Sequence, residues 1–253
     1  PAETSGMLPG DTIIFVDSED VRGMDAFTVI AKVRGPSGSS VSITVLREGI
    51  PDPLTIVITR SKISIPSVEG KILNSGVAYV KINRFGEHTS RELRTQLQTQ
   101  LAKGPPGIIL DLRNNPGGFL DVGISVTSQF VGNGVVMVER FGDGREREYR
   151  AQPGGLATKI PLVVLINRGS ASAAEIVAGA VKDYQRGTLV GERSYGKGTV
   201  QTWMDLHDQQ GAVRITFARW ITPNGNSVDG DGLIPDVVIK RSYEQYKNGE
   251  DPQ

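Results

Sequence analysis

Short apolar runs with strand character alternate with helical patterns between residues 77 and 184, and this alternation constrains the fold more than any other feature. Helical spacing occupies 89–103, 117–131 and 172–184, and strand-like runs are VAYVKI (77–82), GIILDL (107–112) and LVVLIN (162–167). Strands and helices that alternate along the chain are typical of an α/β architecture. We therefore predict an α/β core here, with a capping box of Thr89 and Glu92 at the start of its first helix.

Strand patterns dominate on both sides of this alternation. Before it, 11–17, 41–48 and 54–60 are rich in β-branched residues, and one helical pattern lies at 24–35. Further strands are predicted at 135–141 and 145–151, as a hairpin, and at 188–192, 199–206, 212–222 and 236–240. The polar segment 60–76, which contains Pro66, is the predicted linker. The sequence thus predicts a mixed α/β (α+β) chain, with a small β-rich module at 1–62 and an α/β core at 63–253 that ends in strands.

Composition excludes several classes of site and partner. The chain of 253 residues has no cysteine and two histidines, which excludes a thiol nucleophile, a disulfide framework, a thiolate zinc site and a histidine-rich metal centre. Because 28 basic residues balance 28 acidic ones, there is no bulk positive charge for nucleic acid. The sequence contains no run of about 18 apolar residues, so no transmembrane helix is predicted. The start at Pro1 predicts a fragment of a longer protein, so the missing signal peptide says nothing about export.

A serine turn, GSASAAEI at 169–176, follows a buried strand and begins a helix. A serine in such a turn can expose its hydroxyl, and the N–H groups of the first helical turn point towards an incoming oxyanion. Ser172 and Glu175 also satisfy the S-x-x-E pattern of a capping box. On local sequence alone, Ser172 is therefore either a nucleophile or a simple helix cap.

A glycine-flanked lysine lies in GERSYGKGTVQ at 191–201. The segment approaches a phosphate-binding P-loop, but it lacks the Ser or Thr hydroxyl for magnesium and is followed by a strand pattern. Ser194 and Lys197 form the S-x-x-K of penicillin-recognising enzymes, without the partner motifs S-D-N and K-T-G. A surface turn is the third interpretation. DLRNNPGG (111–118) and DGDG (229–232) are predicted as turns, and the first of them can bring backbone N–H groups close to a ligand.

In combination, these motifs resemble those of the carboxyl-terminal processing peptidases, also called tail-specific proteases. The matches are NPGG, G-S-A-S, AEI-x-AGA-x-x-D-Y at 174–184, Y-G-K-G-x-x-Q at 195–201 and a late TP-x-G motif that ends in PD at 235–236. Residues 1–24 resemble the second half of the PDZ module that these proteases carry. The resemblance implies a partial PDZ domain at 1–62, without its carboxylate-binding loop, and a crotonase-like peptidase core at 63–253.

The resemblance also implies the roles of five residues. Ser172 corresponds to the nucleophile and Lys197 to the base, and the oxyanion hole corresponds to the backbone N–H groups of Gly118 and Ala173. A lysine can act as a base near pH 7 only when burial or a neighbouring cation lowers its pKa. Gln201, four residues after Lys197 on an extended strand, is expected to hydrogen-bond the neutral amine. No metal or cofactor is expected.

The resemblance further implies a serine endopeptidase that cleaves protein substrates near their C-terminal tails, outside the cytoplasm, in a bacterial periplasm or cell envelope. Self-association or an adaptor protein is a further expectation about partners. The alternatives are a non-catalytic peptide-binding scaffold of the same fold and a protease impaired by loss of its PDZ gate. A histidine base would have to be His88, in a turn, or His207, beside Asp208.

Overall fold

The chain folds into two compact units, Pro1–Ile65 and Pro66–Gln253, in the computed structural model. The structure describes residues 1–8, 10–62, 66–206, 211–242, 245, 248 and 250–253. None of the helices within these ranges is long and apolar enough to cross a membrane.

In its described part, the first unit is a four-stranded antiparallel sheet with one α-helix and a short 3₁₀-helix at Glu3–Ser5. Its elements are β1 (Thr12–Val16), β2 (Glu19–Asp20), α1 (Ala26–Val33), β3 (Ser40–Leu46) and β4 (Leu54–Thr59), and the strand order is β2-β1-β3-β4. Alternating apolar residues of β3 and β4 face one core, in which Val41, Ile43 and Val45 are fully buried. The three predicted strands and the predicted helix are confirmed.

The second unit contains a six-stranded sheet of order β14-β11-β10-β7-β6-β5. Its strands are β5 (Val68–Ile72), β6 (Ala78–Ile82), β7 (Ile108–Asp111), β10 (Leu162–Ile166), β11 (Thr188–Gly191) and β14 (Val237–Val238). All neighbours pair in parallel except β5 and β6. Val80, Leu110 and Val164 in the middle of this sheet are completely buried. Burial on both faces of the sheet explains why these strands have near-continuous apolar sequences.

Three named helices and a second sheet make up the rest of the described part of this unit. The helices are α2 (Thr89–Leu101), α3 (Leu120–Thr127) and α4 (Ala173–Asp183). The second sheet is antiparallel, of order β12-β13-β8-β9, with β8 (Val135–Phe141), β9 (Glu146–Arg150), β12 (Thr199–Asp205) and β13 (Ala212–Ile221). The predicted hairpin and all three helices of the α/β core are confirmed. Helix α3 begins later than predicted because Gly117 and Gly118 have φ of 90° and 151°, which a helix does not accept, and it also ends earlier, at Thr127.

The prediction of a linker over 60–76 is wrong for its second half. Residues 68–72 form β5, which pairs with β6 so that Val68 lies opposite Ile82, and residues 63–65 lie outside the described residues. Val68 is buried and belongs to the core of the second unit. The alternation of Val68, Gly70 and Ile72 was obscured because one of its inward positions is a glycine with no apolar side chain.

The predicted capping box of α2 is also absent. His88 is the N-cap residue, without a side-chain cap hydrogen bond. Glu92 instead accepts hydrogen bonds at Oε2 from the Ser67 N–H (2.8 Å), the Ser67 hydroxyl (2.6 Å) and the Val68 N–H (3.2 Å). The carboxylate thus satisfies backbone donors at the start of β5, a tertiary contact that competes with the local cap.

Candidate active site

Three turns meet at one edge of the parallel sheet. They follow β7, β10 and β11, and correspond to the sequence segments NNPGG, GSAS and SYGKG. Leu165 pairs with Asp111 and Ile166 pairs with Gly191, so the three strands end at nearly the same level. Because the carboxyl ends of adjacent parallel strands form a crevice, this edge is where an α/β sheet places its ligands.

A cavity of about 210 Å³ opens at this edge, and all five predicted site residues line it: Gly118, Ser172, Ala173, Lys197 and Gln201. Its other lining residues are Phe119, Leu120, Ile176, Thr199, Val200, Arg214 and Trp220. An apolar wall with a few convergent polar groups is the usual composition of a ligand site. The motifs that are far apart in the sequence are therefore neighbours in space.

Ser172 has a backbone conformation that costs free energy. Its φ of 55° and ψ of −117° lie outside the regions that residues with a side chain ordinarily adopt. Such residues cost about 1–3 kcal/mol and persist where the surrounding structure requires them, often at functional sites. Ser172 is also the N-cap residue of α4, and its N–H donates to Glu175 Oε2 at 2.9 Å. Ser172 therefore occupies the predicted cap position, and its role as a nucleophile stays a prediction.

The NPGG turn packs tightly against the serine turn. A Cβ atom at Gly117 would lie 2.7 Å from the Ala171 carbonyl oxygen and 2.7 Å from Ser172 Cβ, so only glycine fits there. The Ala171 N–H donates to the Asn115 carbonyl at 2.9 Å, and the Asn115 side chain donates to the Ile82 carbonyl at 2.6 Å. The ends of β6, β7 and β10 are thereby held together.

Glu175 links the serine turn to the lysine turn, and sequence analysis assigned it no role beyond the helix cap. Its carboxylate is completely buried. Oε1 accepts from the Ser194 hydroxyl at 2.5 Å and the Gly196 N–H at 2.7 Å, and Oε2 accepts from the N–H groups of Ser172 and Lys197, both at 2.9 Å. Four donors satisfy the buried charge and set the distance between the two turns.

The lysine turn has neither of the two alternative structures considered for it. The segment leads into strand β12 and not into a helix, which excludes a P-loop. Ser194 is buried and does not line the cavity. Its hydroxyl donates to Glu175 and accepts the Leu233 N–H at 2.6 Å, so it stabilises the turn. Gly198 packs on the turn at 229–232, where a Cβ atom would lie 2.6 Å from Asp229 Cβ.

The pKa of Lys197 is lowered from its ordinary value. Burial of the amine is the largest cause, and the positive charge of Arg214 is the second. The carboxylate of Glu175 acts in the opposite direction and favours the protonated amine. The main chain of Lys197 is fixed at both ends, because its carbonyl accepts the Trp220 indole N–H at 2.9 Å and its N–H is held by Glu175.

Gln201 lines the cavity but does not hydrogen-bond Lys197 within the part of the chain that the structure describes. Its Nε2 donates to Thr216 Oγ1 at 3.0 Å across β12 and β13. The expected bond required both residues to lie on one regular strand. Lys197 precedes β12, which begins at Thr199, and an irregularity between Val200 and Gln201 interrupts the alternation of side chains.

Gly118 and Ala173 line the cavity, and their backbone N–H groups donate to no described residue. Gly118 forms a short parallel bridge with Phe85, in which the Phe85 N–H donates to Gly117 and the Phe119 N–H donates to Phe85, both at 2.9 Å. This bridge leaves the Gly118 N–H unused. A Cβ atom at Gly118 would overlap the Phe85 carbonyl, so the position requires glycine.

Of the two histidines, only His88 lies among the described residues, and it takes no part in the site. His88 is exposed at the start of α2 and does not line the cavity. His207 and Asp208 lie outside the described residues.

The chain belongs to peptidase family S41, since residues 76–239, more than half of its length, match the sequence profile of that family. The fold and the motifs at the sheet edge agree with this membership. The predicted resemblance to the carboxyl-terminal processing peptidases is thereby confirmed, as is the mixed α/β core.

Individual relatives are similar over almost the whole chain. A carboxy-terminal-processing protease of Bartonella bacilliformis is 38% identical over 98% of this chain and 58% of its own length. A carboxyl-terminal-processing protease of Synechocystis is 36% identical over 95% of this chain and 57% of its own length. Among solved structures, the photosystem II D1 C-terminal processing protease has a TM-score of 0.66 at 33% identity, over 94% of this chain and 65% of that protein. The chain therefore spans less than two thirds of these relatives.

Proposed function

We propose that this chain carries the active site of a serine endopeptidase that cleaves protein substrates near their C-termini. The observation that supports this most is the shared cavity of Ser172 and Lys197, in which the serine has an unusual backbone conformation and the lysine a lowered pKa. Membership of peptidase family S41 and the names of the relatives agree with it. These features favour hydrolysis over a non-catalytic scaffold, which would need neither.

The proposed reaction proceeds through an acyl-enzyme. The neutral amine of Lys197 takes the proton of the Ser172 hydroxyl as the serine oxygen attacks the scissile carbonyl. The negative charge that develops on the carbonyl oxygen is stabilised by the N–H groups of Gly118 and Ala173. The ammonium of Lys197 then protonates the leaving amine, the C–N bond breaks, and an ester links Ser172 to the acyl part. A water molecule, deprotonated by Lys197, hydrolyses this ester and restores the serine.

Gln201 has a supporting part in this proposal. Its hydrogen bond to Thr216 fixes the side chain at the wall of the cavity, where the amide carries no net charge. A carboxylate in this position would favour the protonated form of Lys197 and weaken it as a base.

The remaining expectations are part of the same proposal. The small unit with strand order β2-β1-β3-β4 is proposed to be part of a PDZ domain, with 1–62 as its extent and 63–253 as the peptidase part. Proteins with accessible C-terminal tails are the proposed substrates, with self-association or an adaptor as a further mode of interaction. An extracytoplasmic location, in a bacterial periplasm or cell envelope, is proposed from the family resemblance.

Covalent labelling tests the proposed function. We expect a fluorophosphonate to label the protein once, because it reacts with activated serine hydroxyls, and we expect peptide mapping to find the label on Ser172. The buried Ser194 and the exposed Ser227 serve as internal controls and should stay unlabelled. Absence of any label, together with no digestion of casein, would contradict the proposal. A label on another serine would reject Ser172 as the nucleophile.

A further inference from the structure

Arg214 brings a second basic side chain to the cavity of Ser172 and Lys197. It lies on β13, where the register pairs it with Trp203 and pairs Thr216 with Gln201. Residues two apart on a strand share a face, so Arg214 and Thr216 lie on the face that meets Gln201. The described residues that line the cavity include these two basic side chains and no carboxylate.

Among the described residues, charged groups near Lys197 come from three elements. Helix α4 contributes the buried carboxylate of Glu175, whose oxygens are directed at four hydrogen-bond donors. The turn at 229–232 contributes Asp229, which accepts the Gly198 N–H at 3.3 Å and lies 3.5 Å from Arg219 Nε. Strand β13 contributes Arg214. Of these groups, Glu175 raises and Arg214 lowers the pKa of Lys197.

The charges of Glu175 and Arg214 have opposite effects on the protonation of Lys197. The carboxylate of Glu175 accepts hydrogen bonds from four donors, and its negative charge near Lys197 favours the ammonium form, which cannot accept a proton from Ser172. Burial of Lys197 counteracts this effect, but the cavity is open to solvent on the side of the β12–β13 hairpin, where Gln201 and Arg214 are exposed. A permanent positive charge on that side opposes protonation without requiring further burial.

We propose that Arg214 is a positioning residue that acts through Lys197, and that its guanidinium offsets the charge of Glu175 and thereby favours the neutral form of the Lys197 amine. This inference rests on the proposed function, in which Lys197 is the base. Arg214 itself takes no proton and contacts no reacting atom in this scheme.

The test is the pH dependence of kcat/KM for casein-derived peptides in Arg214→Gln. We expect a loss of about three- to tenfold at pH 7, which disappears at high pH because the amine is then neutral in both proteins. Arg214→Lys keeps the charge and should restore the original profile. Arg140→Gln is the control, because it removes the same charge from strand β8 of the same sheet at a residue that pairs with Glu146 and lies outside the cavity lining, and its profile should be unchanged.

Two results would overturn the inference. If kcat/KM of Arg214→Gln fell by the same factor at every pH, Arg214 would be a structural or substrate-binding residue. If the pH profile were unshifted, the charge of Arg214 would have no effect on the pKa of Lys197. A measurement without turnover separates this from failure of the proposed function. In the Ser172→Ala protein, the NMR titration of Lys197 Cε should move to higher pH when Arg214 is replaced by Gln. If this titration moves while Lys197→Ala keeps full activity, the charge coupling stands and the proposed role of Lys197 as base is rejected.

Discussion

Ser172→Ala should abolish peptide hydrolysis while the protein stays folded. The substitution removes the only oxygen through which the acyl-enzyme of the proposed reaction can form. The contribution of Ser172 to capping α4 limits the accompanying loss of stability to about 0.5–2 kcal/mol. The N–H of residue 172 can still donate to Glu175, since that bond uses the backbone. Casein digestion and a thermal melting curve measure the two effects separately.

Ser227→Ala provides the control for this substitution, because Ser227 is exposed and lies outside the cavity lining. We expect it to retain full turnover. If Ser172→Ala kept wild-type turnover and lost stability alone, Ser172 would be a helix cap and the nucleophile assignment would be wrong.

Glu175→Gln should lower both stability and activity. The carboxylate is completely buried and accepts four hydrogen bonds, whereas a glutamine amide offers one acceptor oxygen and directs an NH₂ group at donors. Each buried donor that is left without an acceptor costs about 1–3 kcal/mol. Because the same bonds hold the turns of Ser172 and Lys197 together, we expect kcat/KM to fall about 10²-fold at a temperature where the variant is folded.

Glu92→Gln is the matched comparison for Glu175→Gln. The carboxylate of Glu92, like that of Glu175, accepts several hydrogen bonds, in this case three from Ser67 and Val68. Glu92 lies outside the lining of the cavity. It should lose stability in urea unfolding and keep the kcat/KM of the folded protein. Equal losses of activity in the two variants would show that Glu175 has no specific connection to the site.

The sequence was sufficient for the elements and the motifs whose signal is local. The apolar runs of β6, β7 and β10 are buried on both faces of a parallel sheet, so their composition alone identifies them as strands. The residues that line the cavity belong to turns with distinctive glycine and serine patterns, which made the resemblance recognisable. Their roles stay predictions.

Tertiary contacts account for what the sequence did not predict. Glu175 satisfies S-x-x-E locally, but three of its four hydrogen bonds come from Ser194, Gly196 and Lys197, about twenty positions further along the chain. Glu92 shows the reverse case, because it matches a local cap and bonds a distant strand instead. Arg214 is an ordinary residue of a strand pattern, and only the pairing of β12 with β13 brings it to the cavity.

The most direct test of a serine nucleophile activated by a lysine is the pH dependence of kcat/KM, measured on the wild type and on variants of each candidate base. A lysine base predicts a rate that rises with pH to a plateau, with an apparent pKa below the ordinary lysine value of about 10.4. Lys197→Arg should be inactive at every pH, because arginine stays protonated, and a double substitution of His88 and His207 by Gln should keep the profile. Activity retained in Lys197→Ala and lost in the double histidine variant would contradict the account.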